Sequence, residues 1–147
     1  MKKVLVSVCT IGLLAVLSSC SSSKNAAIST LGGYWDIIEV ESAAIVPAAG
    51  QQFPFIVFDA TTGRVHGNSG CNQMSGTFNK DAKAGTLDLS ALVSTRMACL
   101  DMTTETKILK SLSAVKKFKQ LSDATMALCD AHGKTVVVLK KKKMPRM

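Results

Sequence analysis

Aromatic residues are scarce in this sequence: they make up 5% of the chain, with a single tryptophan and a single tyrosine. A general nucleic-acid-binding face needs basic side chains interleaved with aromatics, so no nucleic-acid partner is expected. Acidic residues are also few, 10 against 18 basic ones, for a formal net charge of +8. The basic excess gathers at Lys140, Lys141, Lys142, Lys143 and Arg146, which leaves the body of the chain nearly neutral. The apolar stretch from Val4 to Leu17 falls short of the ~20 residues that a membrane-crossing helix requires. There is no internal repeat and no glycine-rich phosphate loop. No two cysteines lie two residues apart to nucleate a zinc site. No metal and no cofactor are therefore expected.

What is present begins with an address. Lys2 and Lys3 precede the apolar run as the positive end of a secretory signal does. Leu17-Ser18-Ser19-Cys20 resembles the lipobox of bacterial lipoproteins, in which the cysteine takes lipid and becomes the first residue of the mature chain. The alternative is an ordinary signal peptide that happens to end near a cysteine. The lipobox reading divides the chain into a signal peptide over 1–19, a flexible tether over 20–30, one domain over 31–140 and a basic tail over 141–147. The polar tether would reach about 18 Å. Several acyl chains on Cys20, palmitate among them, would hold the protein to a membrane far more firmly than one chain could. Ser21 in place of an aspartate points, by analogy with sorting in enteric bacteria, to the outer membrane. The tail could lie against anionic lipid at about 1 kcal/mol per basic side chain. It could equally be a solvated, frayed end that keeps the last strand from pairing with neighbours.

The body reads as short strands separated by turns. Leu31 to Glu41 opens it, with Trp35 and Ile37 on one face and Tyr34, Asp36, Ile38 and Val40 on the other. Ser42 to Gln52 reads as a loop, Phe53 to Ala60 as a strand, Thr61 to Gly63 as a turn, and Arg64 to His66 as the returning strand. Around Gly67-Asn-Ser-Gly-Cys-Asn-Gln-Met-Ser-Gly76, Gly67, Gly70 and Gly76 allow the chain to change direction. Asn68 and Asn72 can fix that turn by bonding backbone a residue or two further on. Met74 to Asn79 and Thr86 to Val93 are expected as strands. Asp101 is placed to cap a helix over Thr103 to Val115, which sets Ile108, Leu112 and Val115 on one face and brings Glu105 to the positive end of the helix dipole. Strands return from Phe118, from Thr125 to Asp130, and from Lys134 to Lys140. The expected fold is mainly β (α+β): a curled antiparallel sheet or partly closed barrel of seven to eight strands, with one packed helix.

Three separated stretches, Leu31-Gly-Gly-Tyr-Trp35, Gly67 to Phe78, and Ser94-Thr-Arg-Met-Ala-Cys99 before an acidic helix start, together resemble the META domain of HslJ-like bacterial lipoproteins. The resemblance covers nearly all of the chain after the tether. It implies a curled antiparallel β-structure with one helix, in an envelope protein linked to heat-shock or stress tolerance, and it supplies no catalytic residue. The positions matching its pattern are Trp35, Gly67, Asn68, Gly70, Cys71, Asn72, Gly76, Thr95, Arg96 and Cys99.

Beyond the cytoplasmic membrane, disulfides are favoured, and within the family pattern Cys71 and Cys99 are expected to be bridged, the alternative being two buried thiols. Cys129 is left over as a small strand residue. A nucleophilic reading would activate Cys71 with His66 or His132 and orient that base with Asn68 or Asn72. Arg96, if carried inward, must pair with Asp101, Asp59 or carbonyl groups. The expected function is that of a non-enzymatic envelope lipoprotein supporting stress tolerance, anchored in the membrane, monomeric, with a possible envelope protein partner. The alternative is a binding module for a hydrophobic small molecule or an envelope protease at the mouth of the sheet, which an apolar cavity inside the sheet would distinguish.

Overall fold

A computed structural model describes residues 26–143. The signal segment, Cys20, the tether up to residue 25 and the last four residues lie outside the described range. Ala26 and Ile28, which precede residue 31, are buried, and Ile28–Leu31 forms a 3₁₀ turn. The strands are β1 (Gly33–Val40), β2 (Ala43–Ala44), β3 (Phe55–Asp59), β4 (Arg64–Asn68), β5 (Gln73–Thr77), β6 (Val93–Ser94), β7 (Lys117–Ser122), β8 (Thr125–Cys129) and β9 (Thr135–Lys141), with one helix, α1 (Thr103–Ser113), before β7. All pair antiparallel in one curled sheet of order β6-β5-β4-β3-β1-β9-β8-β7, and β2 adds to the far end of β1. Two of the nine strands, β2 and β6, are two residues each and lie outside the expected strands or at their very end.

Local chemistry explains the turns. At the β3–β4 hairpin, Asp59 Oδ1 accepts from the N–H groups of Thr61 (2.9 Å) and Thr62 (3.1 Å). At the β8–β9 hairpin, Asp130 Oδ1 does the same for His132 (2.9 Å) and Lys134 (3.0 Å). Such short carboxylates substitute for backbone acceptors where the chain reverses.

Strict alternation fails in β1. Trp35, Ile37 and Val40 are buried, because a bulge between Ile37 and Glu39 moves Val40 to the inner side. The expected strand over Thr86 to Val93 does not form. Asp88 Oδ1 accepts from Ser90 N–H (2.9 Å) and Ser90 O–H (2.7 Å), and Leu92 N–H donates to Leu89 O (3.1 Å). These local bonds replace a ladder. Thr86 pairs with Lys117 of β7 by one isolated bridge, while Val93–Ser94 pairs with β5. The stretch between them spans the gap between the two ends of the sheet, and its Leu87 and Leu89 still point inward, 1% and 0% exposed. The sheet is therefore curled but not closed by a strand ladder.

The helix starts where expected, with Asp101 Oδ1 accepting from Thr103 N–H (2.8 Å) while Met102 occupies the cap position itself. It ends two residues early, in a tightened turn where Ala114 N–H and Val115 N–H bond carbonyls three residues back. Ile108, Leu112 and Val115 are fully buried, and α1 lies against β9 and β1. With Trp35, Phe58 and Phe118 they fill the interior of the curl.

Candidate functional site

The residues of the sequence pattern converge where the β4–β5 turn meets the start of α1. Gly67 ends β4 against β3, and any Cβ there would strike Phe55 O and Ile56 Cα, so only glycine permits this approach. Asn68 Oδ1 accepts from Gly70 N–H (2.7 Å), and Gly70 takes φ +114 to turn the chain. Cys71 is joined to Cys99 by a disulfide with a Cα–Cα distance of 6.2 Å, which ties the turn to the segment between β6 and α1.

Asn72, with no exposed surface, is the hub. Its Oδ1 accepts from Thr95 O–H and from Met97 N–H, both at 2.7 Å. Its Nδ2 donates to Met97 O (3.1 Å) and to Glu105 Oε1 (2.7 Å). Its backbone N–H donates to Glu105 Oε2 (2.9 Å), and its carbonyl accepts from both N–H and O–H of Ser69 (2.9 and 3.0 Å). The side chain thus reaches partners more than twenty residues away, not the neighbouring backbone expected from the sequence. Thr95 continues the brace, receiving Gln73 N–H on its hydroxyl (3.1 Å) and donating its own N–H to Gln73 O (2.9 Å).

Glu105 was not singled out by the sequence beyond its place near the helix dipole. It is 5% exposed and holds the turn by two hydrogen bonds from Asn72. One signal pointed to it: Glu105, Ile108 and Leu112 share the same helical stripe, so a carboxylate falls on the face that must be buried.

Three pattern residues lie outside the hub. Trp35 is buried on β1 and donates Nε1–H to Leu31 O (2.6 Å), closing the 3₁₀ turn against the sheet. Gly76 sits under the crossing of residues 91–92, where a Cβ would meet Leu92 Cα at 3.2 Å. Arg96 is exposed, so the pairing considered for an inward position does not arise, and it makes no ion pair among the described residues. The backbone of its neighbour Met97, not its guanidinium, enters the network.

The arrangement is a cross-brace: every polar atom of the Asn72 side chain bonds another part of the same chain. The sulfur of Cys71 is spent in the disulfide, so it is no thiolate here. His66 and His132 are exposed, and neither contributes to the brace. Among the described residues, no group of three His, Cys, Asp or Glu side chains could hold a metal ion. Cavities of 460 Å³ beside Tyr34 and Lys141 and of 340 Å³ over β5 and β6 open on the sheet, one of 160 Å³ lies between β2 and α1, and one of 550 Å³ lies at the start of α1. Among the described residues no helix is long and apolar enough to cross a membrane.

The family model described as "META domain" matches residues 27–143. No curated protein matches the chain. Among solved structures, the chain is similar to the NMR structure of a protein from Burkholderia xenovorans, at 20% identity over 97% of this chain and 99% of that one, with a TM-score of 0.63. It is also similar to the crystal structure of a DUF4847 family protein from Bacteroides vulgatus ATCC 8482, at 14% identity over 79% of this chain and 96% of that one, with a TM-score of 0.53. At these identities the likeness is one of fold.

Proposed function

Since this chain belongs to the META domain family, we propose that it is a non-enzymatic lipoprotein of the cell envelope, anchored through Cys20, whose compact β-domain supports tolerance of envelope stress. The observation that carries the reading is the bonding of the family pattern around Asn72. Thr95 and Glu105 each bond Asn72, and Cys71 bonds Cys99, which supports a part for these residues in holding the fold. A disulfide suits an oxidising compartment, and the lipobox-like Leu17-Ser18-Ser19-Cys20 suits attachment there. The side-chain-filled interior favours this reading over a hydrophobic ligand held within the sheet.

The test combines address and phenotype. Wild-type protein should take up a fatty-acid probe and fractionate with the outer membrane, and Cys20→Ala should lose the label. A deletion strain should be sensitised to heat and to agents that perturb the envelope, and wild type should restore tolerance where Cys20→Ala does not. A labelled Cys20→Ala protein, or a deletion strain indifferent to every stress, would refute the reading.

A further inference from the structure

The basic run at the C-terminal end is built into the fold for its first half. Lys141 N–H donates to Ala124 O (2.8 Å) and Lys142 N–H donates to Tyr34 O (2.9 Å), so both residues hold defined places on β9 and just past it. Alternation along the strand sends their side chains to opposite faces. Lys141 Nζ stands 5.2 Å from the centroid of the Trp35 ring, and Lys142 Nζ stands 5.3 Å from that of Tyr34 and 3.6 Å from Asp36 Oδ1. Lys140 and Lys143 are exposed beside them.

Lys141, Lys142 and Lys143 line a cavity of 460 Å³ at this end of the sheet together with Gly33, Tyr34, Asp123 and Ala124, and Lys140 is exposed one residue away on β9. The acids nearby are Asp123 in the lining and Asp36, which Lys142 faces. Cationic heads above apolar stems are the form in which lysine meets a headgroup phosphate while its methylenes lie against glycerol and acyl groups. From Ala26, whose carbonyl accepts from Gly85 N–H (2.9 Å), the chain passes through one 3₁₀ turn to Gly33 in the cavity wall, a path of about 20 Å at most by the rise of such a turn and of extended chain.

We propose that this end of the domain, around Lys140 to Lys143, is a membrane-facing surface that binds the phosphates of anionic phospholipids. The inference rests on the lipid-anchor reading for its proximity to a bilayer, since a short tether holds the domain, and the lysines with it, near the surface at high effective concentration. Acyl chains would keep the protein on the membrane, and the lysines would set which end faces it.

The experiment uses the full lipidated chain in vesicles of phosphatidylcholine alone or mixed with phosphatidylglycerol. A fluorophore is placed on Ala124→Cys at the cavity or on Val46→Cys at the opposite end of β1, and brominated lipids act as quencher. With phosphatidylglycerol, Ala124 should be quenched several-fold more than Val46. That difference should disappear in high salt and in Lys140→Gln/Lys143→Gln, which leaves the Lys142 contact with Asp36 intact. Equal quenching at both positions, or quenching at Ala124 that ignores phosphatidylglycerol, overturns the proposal. Intact mass reads the anchor separately. A lipidated chain without the Ala124 preference defeats this inference alone, whereas an unlipidated chain that still docks Ala124 on anionic vesicles supports it and defeats the anchor.

Discussion

A buried carboxylate with no cation beside it depends on the donors aimed at it, and Glu105 has two, both from Asn72. Glu105→Gln keeps the shape but turns an amide donor toward those donors, so it should cost about 1–3 kcal/mol, the penalty of a mismatched buried polar group. Asn72→Ala should cost at least as much, because it strips partners from Thr95, Met97 and Glu105 together. Urea unfolding followed by circular dichroism measures both, and a Glu105→Gln protein as stable as wild type would show that the carboxylate does not hold the turn. Asp88 supplies a pH-dependent contribution of another size. The hydrogen bond from Lys116 (2.7 Å), with help from Ser90, lowers its pKa to about 2. A carboxyl whose pKa is lowered by folding contributes stability above its unfolded value near 4, and that contribution is lost as pH falls toward 2. Both side chains are substantially exposed, 40% for Lys116 and 55% for Asp88, so the contribution is held to about 0.2–1 kcal/mol. Asp88→Asn should flatten the acid limb of stability against pH by that amount and leave the protein little changed only near pH 2 and below.

At the scale of elements, α1 has a wet face and a dry one. Leu112 is fully buried against the sheet, and Leu112→Ala should cost about 2–5 kcal/mol. Lys110→Ala, on the exposed face, should cost less than ~0.5 kcal/mol. Equal shifts in urea midpoint from the two would place the wrong face inward. That face was legible in the sequence because helical spacing is a local property, and so were the β3–β4 and β8–β9 hairpins, whose Asp59 and Asp130 act within four residues. What was not legible depended on partners far along the chain. Thr86 to Val93 has strand alternation, yet Asp88 and Ser90 bend it locally and only its ends find a ladder. Val40 changes face through a bulge that Ile38 alone does not announce. Asn72 is visible as a turn residue, but its partners Thr95, Met97 and Glu105 lie more than twenty residues along the chain, and Arg96 drew attention by its charge while its neighbour's backbone did the bracing.

The whole molecule is a sheet with two loose ends, β6 and β7, spanned by one stretch of irregular chain instead of a closing ladder. The β6 side is the weaker, since β6 is two residues long. There the disulfide acts: it joins positions 28 residues apart and fastens the β4–β5 turn to the segment between β6 and α1. Closing a loop of that length should stabilise the fold by roughly 3–4 kcal/mol, chiefly by restricting the unfolded chain. Against the about 5–15 kcal/mol typical of a single domain, that is a large share. Cys71→Ala/Cys99→Ala should therefore lower the urea midpoint by the matching amount, and a reductant should do the same to wild type and nothing to the variant. The loss should also be uneven. Amides of Asn72 and Thr95 should exchange faster in the variant, while those of β8 and β9, paired on both sides in the middle of their half of the sheet, should keep most of their protection. Cys129, 2% exposed on β8, serves as an internal reporter. Under non-reducing conditions it should be alkylated only after unfolding, with Cys71 and Cys99 recovered in one joined peptide. Rapid alkylation of Cys71 in the native protein would mean that the bridge is absent, and would return a free thiol beside Asn72 to consideration as a nucleophile.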